Sequence, residues 1–499
     1  MQKNLEQFTG EIEQGLTPKY QPADYSDAGN ADAFVRYADG NLVFCQALGW
    51  LAWNGMRWER EDQAAIAKGT AFTWSMLDEA TEMNREAQIA LGAAKADLAA
   101  GYGGRDLSAA RIDAAEAGAY LAWSKQSRNA GRIRNMLELA KPEMLIRADV
   151  LDADPFDLNT PAGIVDLKTG EIRPHDRGAF CTKMTAVAPG EPSDFFDQFL
   201  EFIACGDPGL MGFLQQMAGM ALIGGVYQEG IVIAYGSGRN GKSSFFNALA
   251  SALGDYAGSI DVSALTTERQ NRGASLATLR GKRLVITGEL EEGARLSVST
   301  LKRLASTDDL VIEEKFRAPE TIHPTHTLCL FSNHLPRVGS TDEGTWRRLI
   351  VIPFNARISQ SEARANMAES LFREAGGAIL SWAIQGAAHF IRNGCKLTIP
   401  DAVDEITGEY REREDWLENF LRERCVQEPA ARESASELYA AYKDYAASVG
   451  DYCRRISDFN AALEEAGFQK IRPKNKATWL GVRLDYEYKT LGSRWSAAV

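Results

Sequence analysis

The chain has 499 residues, 45% hydrophobic and 25% charged, which is enough to bury a sizeable core and, at this length, calls for more than one domain. Its net charge of −13 excludes a protein coated in nucleic acid over its whole surface, because phosphate contacts need Lys and Arg, but leaves room for a small basic channel or patch. The seven cysteines (Cys45, Cys181, Cys205, Cys329, Cys395, Cys425, Cys453) form no CxxC pair, which argues against a zinc ribbon or a disulfide framework and for reduced thiols in a cytoplasmic protein. The longest apolar run, GLMGFLQQMAGMALIGGVY, is broken by glutamines and glycines, so neither export nor membrane insertion is expected.

In chain order, residues 1–30 are polar and rich in turn formers and read as a loose lead-in. Two apolar runs then flank Asn54-Gly55, a dipeptide that supplies the positive φ angles of a tight hairpin turn. From Gln63 to Lys141 Ala-rich text with recurrent apolar spacing predicts several helices, and FDLNTPAGIVDLKTGEIRPH returns to short strands. Residues 31–190 thus form a mixed α/β module. Asp152 and Asp154 read as turn and capping residues before Pro155 in preference to a metal pair. Two helices are predicted between 195 and 224, the first capped near Ser193-Asp194, within a helical collar at 191–229. The segment 230–400 alternates buried strands (EGIVIAYG, KRLVITGE, HTLCLFSN, RRLIVIPF) with helices and loops, the pattern of a mainly parallel sheet. The charge-dense stretch 401–433 reads as a linker, and 434–499 as helix, helix and hairpin, the order of a winged helix.

The chemistry centres on YGSGRNGKSSFF. Gly236, Gly241, Lys242 and Ser243 satisfy G-x-x-x-x-G-K-[ST] with a strand before and a helix after, the context in which backbone N–H groups and a helix N-terminus cradle phosphates. Lys242 is placed to reach the β and γ phosphates and the Ser243 hydroxyl to bind Mg²⁺. The strand RLVIT ends in GELEEG, where a carboxylate can hold a Mg²⁺-bound water or activate water; Glu289 is preferred, Glu291 the alternative. The strand TLCLFS ends in Asn333, a neutral amide able to orient that water. Arg347 and Arg348 precede a further strand, either as charge-stabilising arginines for a neighbouring subunit's γ-phosphate or as a surface ion pair. His323 and His326 in HPTH lack further ligands and read as structural.

The order and compact spacing of GSGRNGKSS, LRGKRLVITGELEEG, LKRLASTDDLVIEEK, LFSNHLP and DEGTWRRLIVIPF resemble superfamily 3 helicases, the hexameric AAA+ motors of small viruses, phages and plasmids. Within these the chain is most similar to the phage and plasmid primase-helicases related to the poxvirus enzyme. WLAWNGMRWERED and LNTPAGIVDLKTGEIRPH resemble the domain before that motor, and LYAAYKDYAASVG with WLGVRL its winged-helix tail. The resemblance implies a multidomain α/β protein with an AAA+ P-loop NTPase core. It implies Lys242 and Ser243 as the Walker A pair, with Gly236, Gly238, Asn240, Gly241 and Ser244 completing an ATP cradle. It further implies Glu289 as Walker B carboxylate and, with Ser243, Mg²⁺ ligand; Asn333 as sensor 1; and Arg348, with Arg347 as alternate, as arginine finger. Lys302, Lys315 and Arg317 fall in its DNA-gripping region. Two departures stand out: Ser306-Thr307-Asp308 where the family often has glycines, and Gly288 before Glu289 where some relatives carry two adjacent acids.

The five histidines form no primase-type constellation with paired aspartates, so primer synthesis by this chain alone is not expected, and a separate primase or replication initiator is an implied partner. In the tail, Glu464 and Glu465 make the second helix a poor reader of a major groove. Lys470, Arg472, Lys474 and Lys476 with Trp479 form a basic hairpin that either lies on phosphates or docks protein. The expectation is an ATP-driven, ring-forming DNA helicase, hexameric, acting on single-stranded and forked DNA. A DNA-remodelling initiator that unwinds nothing is the rival, and a small-molecule kinase, for which an acceptor site and lid pattern are lacking, a third reading.

Overall fold

The protein is described by a computed structural model over residues 18–101, 106–266, 277–312, 320–338, 342–359, 364–450, 452–473 and 476–485. It divides near Met184 into two compact units.

The first unit opens with α1 (Asp27–Ala38), whose N-terminus is capped by the Ser26 hydroxyl accepting from Gly29 N–H. The lead-in is anchored earlier than its polarity implies, because the Glu79 carboxylate accepts from the backbone N–H groups of Lys19 (2.6 Å) and Tyr20 (3.0 Å) and from the Tyr120 hydroxyl (2.8 Å). β1 (Leu42–Cys45), β2 (Gly49–Trp53) and β3 (Trp58–Arg60) form an antiparallel meander, extended by β4 (Leu145–Ile146) parallel to β1. The hairpin at Asn54-Gly55 is present, but its turn differs from the two-residue one expected. Trp53 pairs with Trp58, Gly55 alone takes a positive φ (97°), and Asn54 Oδ1 accepts from Met56 and Arg57 N–H, both at 2.9 Å. The side-chain bonds of Asn54 replace the second left-handed residue. Between β3 and β4 lie α2 (Asp62–Ala99), α3 (Leu107–Ser127) and α4 (Ala130–Ala140). Alanines 80, 94, 110, 114 and 117 are buried along α2 and α3. Larger side chains, Phe34, Phe72, Met76, Tyr120 and Met136, fill the core. β5 (Asp157–Thr160), β6 (Gly163–Asp166) and β7 (Ile172–Arg173) make a small sheet. Asp152 takes a left-handed turn conformation (φ 51°), but its carboxylate accepts from the distant Thr182 N–H at 2.7 Å; Asp154 accepts from Phe156 N–H at 2.9 Å, the local turn role its setting predicts.

The second unit starts with α5 (Asp194–Ile203) and α6 (Pro208–Met220), followed by β8 (Ile231–Tyr235), α7 (Lys242–Leu253), β9 (Ala257–Ile260), β10 (Leu284–Thr287) and α8 (Val298–Leu304). A short antiparallel pair, β11 (Leu310–Ile312) and β12 (Glu320–Ile322), precedes β13 (Thr327–Ser332), α9 (Glu343–Trp346), β14 (Leu349–Pro353) and the long α10 (Met367–Arg392). The central sheet is five-stranded and wholly parallel, in the order β14-β8-β13-β10-β9. Parallel strands are covered on both faces, which is why these runs are continuously apolar: Ile231, Ile233, Val285, Leu328, Leu330 and Val351 share one core. Where α6 and α10 cross, a Cβ on Gly219 would stand 2.0 Å from Ala387 N and one on Gly386 2.0 Å from Gln215 O, so only glycine lets the two backbones meet.

Residues 401–433, expected to link, are folded. They form α11 (Asp401–Glu414), α12 (Trp416–Arg424) and most of β15 (Cys425–Ser434). Their helical charges lie mostly on exposed faces, Glu433 of β15 being buried and accepting from Leu484 N–H at 2.9 Å, while Trp416, Leu417, Phe420 and Leu421 enter a core with Tyr442, Phe459 and Trp479. β15 is an edge strand whose pairing with β17 (Thr478–Leu484) slips between Gln427 and Arg432, around Pro429, and an edge bulge is where a strand tolerates proline. With α13 (Ala435–Ser448), α14 (Ile456–Glu465) and β16 (Gln469–Ile471) the sheet runs β15-β17-β16. Among the described residues no helix is long and apolar enough to cross a membrane.

Candidate active site

The glycine loop leaves β8 after Tyr235 and is held by its neighbour β14. Asn240, 2% exposed, donates from Nδ2 to Phe354 O (2.9 Å), and a Cβ at Gly236 would lie 2.2 Å from that same carbonyl oxygen. Gly241 has φ +86° and a Cβ there would meet Ile203 Cγ2 at 2.6 Å, so α5 packs directly on the loop. Gly238 sits on the exposed crest with open space about it, and Ser243 (exposed) and Ser244 (half-buried) occupy the first turn of α7.

Lys242 opens α7 and is 4% exposed. Its Nζ donates to Gly236 O (2.5 Å), Asn240 Oδ1 (3.1 Å) and Asn333 Oδ1 (3.0 Å), and Asn333 Nδ2 donates in turn to Glu289 Oε1 (3.0 Å). The first residue of α7, after the glycine loop, and residues from the ends of β10 and β13 are thereby joined in one hydrogen-bonded chain at the C-terminal edge of the sheet. Glu289, rather than Glu291, is the carboxylate in that chain. Every direct partner of the ammonium is a neutral oxygen. Burial pulls the Lys242 pKa below its ordinary value and the Glu289 charge opposes this. A buried cation without a directly paired anion is a seat for one.

The arginine pair stands elsewhere. Arg348 is engaged within its own chain: Nη1 donates to Gly344 O (2.7 Å), Nη2 pairs with the Glu229 carboxylate, and the side chain is only 12% exposed. Arg347 is 66% exposed and 3.9 Å from the same carboxylate. Of the two, Arg347 is therefore the one presented to the outside, the reverse of the order the motif resemblance implies. Glu229 was not legible as a functional residue, because a lone Glu before a strand carries no pattern. Both arginines precede β14, and Ile231 N–H bonds Arg348 O at 2.7 Å, so they lie at the N-terminal edge of the sheet.

Comparison with known proteins bears on this arrangement. The family described as "D5 N terminal like" matches residues 31–205, and a family of unknown function (DUF5906) matches 234–348. A protein of Acanthamoeba polyphaga mimivirus that is a helicase by name (L207/L206) is 27% identical over 246 residues, which is 48% of this chain and 25% of that protein. An African swine fever virus protein that is a primase by name (C962R) is 24% identical over 295 residues, 54% of this chain and 31% of that one. A Frog virus 3 protein that is a helicase by name (022R) is 24% identical over 279 residues, 51% and 28% respectively. The chain thus carries a D5-type N-terminal region and is similar to viral proteins that are helicases or primases by name. It spans between 25% and 31% of the length of these curated relatives. Among solved structures, the apo NrS-1 C-terminal region is similar over 60% of this chain and 78% of that one, at 14% identity and a TM-score of 0.37.

The other positions singled out in this chain behave differently from the lysine site. Lys302 Nζ is ion-paired to Asp342 Oδ2 at 2.5 Å, and that carboxyl, held chiefly by Lys302 and also by the Thr345 hydroxyl, titrates at about 2. Asp342 also caps α9, so Lys302 is tied to the turn that presents the arginines rather than left open to a strand. Lys315, Arg317 and Lys474 lie outside the described residues. Arg472 and Lys476 are exposed, whereas Lys470 Nζ lies 5.1 Å over the Trp479 ring. HPTH is divided by burial: His323 pairs with Asp309 at the surface and His326 is 5% exposed. Among the described residues no group of three or more His, Cys, Asp or Glu is placed to hold a metal.

Proposed function

We propose that the chain is an ATP-dependent, ring-forming DNA helicase of superfamily 3 that acts in phage, plasmid or mobile-element replication in the cytoplasm. In this reading residues 230–400 are an AAA+ core, 191–229 a collar, 31–190 the family's N-terminal domain and the C-terminal region a winged helix beginning near Trp416. The observation that carries it is the split between the two sheet edges. Lys242, Asn333 and Glu289 meet at one edge and Arg347 stands at the other. A five-residue strand separates them, about 16 Å. An arginine so placed cannot serve its own nucleotide; it serves a neighbour's, which supports a closed ring, hexameric in this family, with ATP between subunits.

The residues suit MgATP. Lys242 exchanges neutral carbonyl and amide oxygens for phosphate oxygens, a gain in charge complementarity. Ser243 and Glu289 offer one hydroxyl and one carboxylate, a sparse set that fits Mg²⁺, which keeps several waters and is held largely by phosphates; when bound it neutralises developing phosphate charge. Asn333, bonded to Glu289, orients the carboxylate toward a water. A cavity of 630 Å³ lined by Phe202, Cys205 and Ala356, on the α5 side of the loop, is roomy enough for the base. The β11–β12 hairpin and the Arg472–Lys476 region are the candidate DNA contacts, and a separate primase or initiator the partner.

Strand displacement on a forked duplex with ATP tests this. Release of the strand, lost on Glu289→Gln, is expected; ATP hydrolysis with no displaced strand would favour a remodelling initiator instead.

A further inference from the structure

A second cationic site lies at the same edge of the sheet as Lys242. A cavity of 440 Å³ opens between the last residue of β8, the loops after β10 and β13, and the helices α11 to α13. Four arginines converge on it: Arg295 and Arg337 from the strand-end loops, Arg413 from α11 and Arg454 from the turn after α13. Arg295 and Arg337 face each other directly as a parallel bridge pair, fixed by Arg337 N–H to Ala294 O (2.8 Å) and Leu296 N–H to Arg337 O (2.9 Å). Like charges set directly opposite repel, and an anion lodged beside them lowers that repulsion; Arg295 also lies 4.6 Å over the Tyr452 ring. Arg454 is 7% exposed and lies 4.3 Å over the Trp416 ring, so a third guanidinium is brought in almost fully buried. Against these stand two carboxylates, Glu292 and Glu414, and Glu414 Oε2 already accepts from Val338 N–H at 2.9 Å. In a chain of net charge −13, four arginines to two glutamates in one cavity is a local reversal of sign. Guanidinium forks match the oxygens of phosphate.

We propose that this cavity is a second phosphate-binding site, separate from the glycine loop, whose ligand is either a phosphodiester of a nucleic-acid strand or free phosphate. The strand source rests on the helicase reading above; the free-phosphate source does not. The test uses the full chain with the glycine loop filled by a non-hydrolysable ATP analogue, and compares wild type with Arg295→Glu, Arg413→Glu and Arg295→Lys, each checked by thermal melting. A fluorescent single-stranded oligonucleotide and inorganic phosphate are titrated separately. If the site holds a strand, both charge reversals weaken the oligonucleotide by about tenfold and lower the salt slope by about 0.7 per lost contact, with Arg295→Lys much milder. If it holds free phosphate, the reversals abolish phosphate binding by calorimetry and leave the oligonucleotide unchanged. Folded variants that bind both ligands as wild type does overturn the proposal. Wild type that binds phosphate but no oligonucleotide removes the strand source and the helicase reading, and leaves the pocket standing.

Discussion

The two edges of the central sheet treat charge in opposite ways. At the C-terminal edge Lys242 is buried among neutral oxygens, with Glu289 reached only through Asn333. At the N-terminal edge Arg348 is paired directly with the Glu229 carboxylate, and His326, the residue before β13, is buried. A cation held by dipoles can exchange them for a phosphate at little loss, whereas one held by a carboxylate must break an ion pair first. The first edge is therefore prepared for a ligand, and the second is prepared for stability, with Arg347 turned outward from it.

The sharpest way to break this contrast is at Lys242. Lys242→Ala is expected to lower DNA-stimulated ATP hydrolysis by about a thousandfold or more, measured as phosphate release. Arg347→Ala is expected to lower turnover by about a thousandfold while leaving ATP-analogue binding intact. Mixing Arg347→Ala with Lys242→Ala subunits should restore part of the activity, since some interfaces then combine an intact loop with an intact arginine; no restoration would place both groups in one subunit's site and end the two-edge account. At the stabilising edge, burial pulls the His326 pKa down to about 4, only partly offset by a backbone group of Leu304. Its folded pKa lies below that of an unfolded histidine, so the unfolded chain binds the proton more readily. The stabilisation is complete above about pH 6.5 and is lost as pH falls through 4; between pH 7 and 5 the loss is about 2 kcal/mol, which His326→Phe should abolish in denaturant melts at those two pH values. Last is Glu229→Ala, which leaves the largely buried Arg348 guanidinium without its anion and should cost about 2 kcal/mol. A change in ATP turnover larger than that in stability would mean Glu229 also positions Arg347.

The helix-forming and strand-forming segments were legible because hydrophobic periodicity is a local property. The four strand runs around the glycine loop, the helices of residues 63 to 141 and the turn at Asp152 all stand where spacing and turn chemistry put them. Where charge density stood in for structure it misled: in 401–433 most charges occupy exposed faces of helices whose other faces are core. The choice between Arg347 and Arg348 was equally hidden, since it depends on Glu229, distant in sequence.

By itself the sequence determined the glycine loop, its lysine, and the carboxylate and amide at the ends of two later strands, because each is a residue type at a fixed offset from a local element. Only the tertiary structure decided that strands β8, β10 and β13 lie side by side so that Lys242, Glu289 and Asn333 join in one chain. It alone separated the arginines to the far edge and gathered four others around a single cavity. Strand order is set by packing between segments far apart in sequence, and no local pattern encodes which long-range neighbours a side chain will meet.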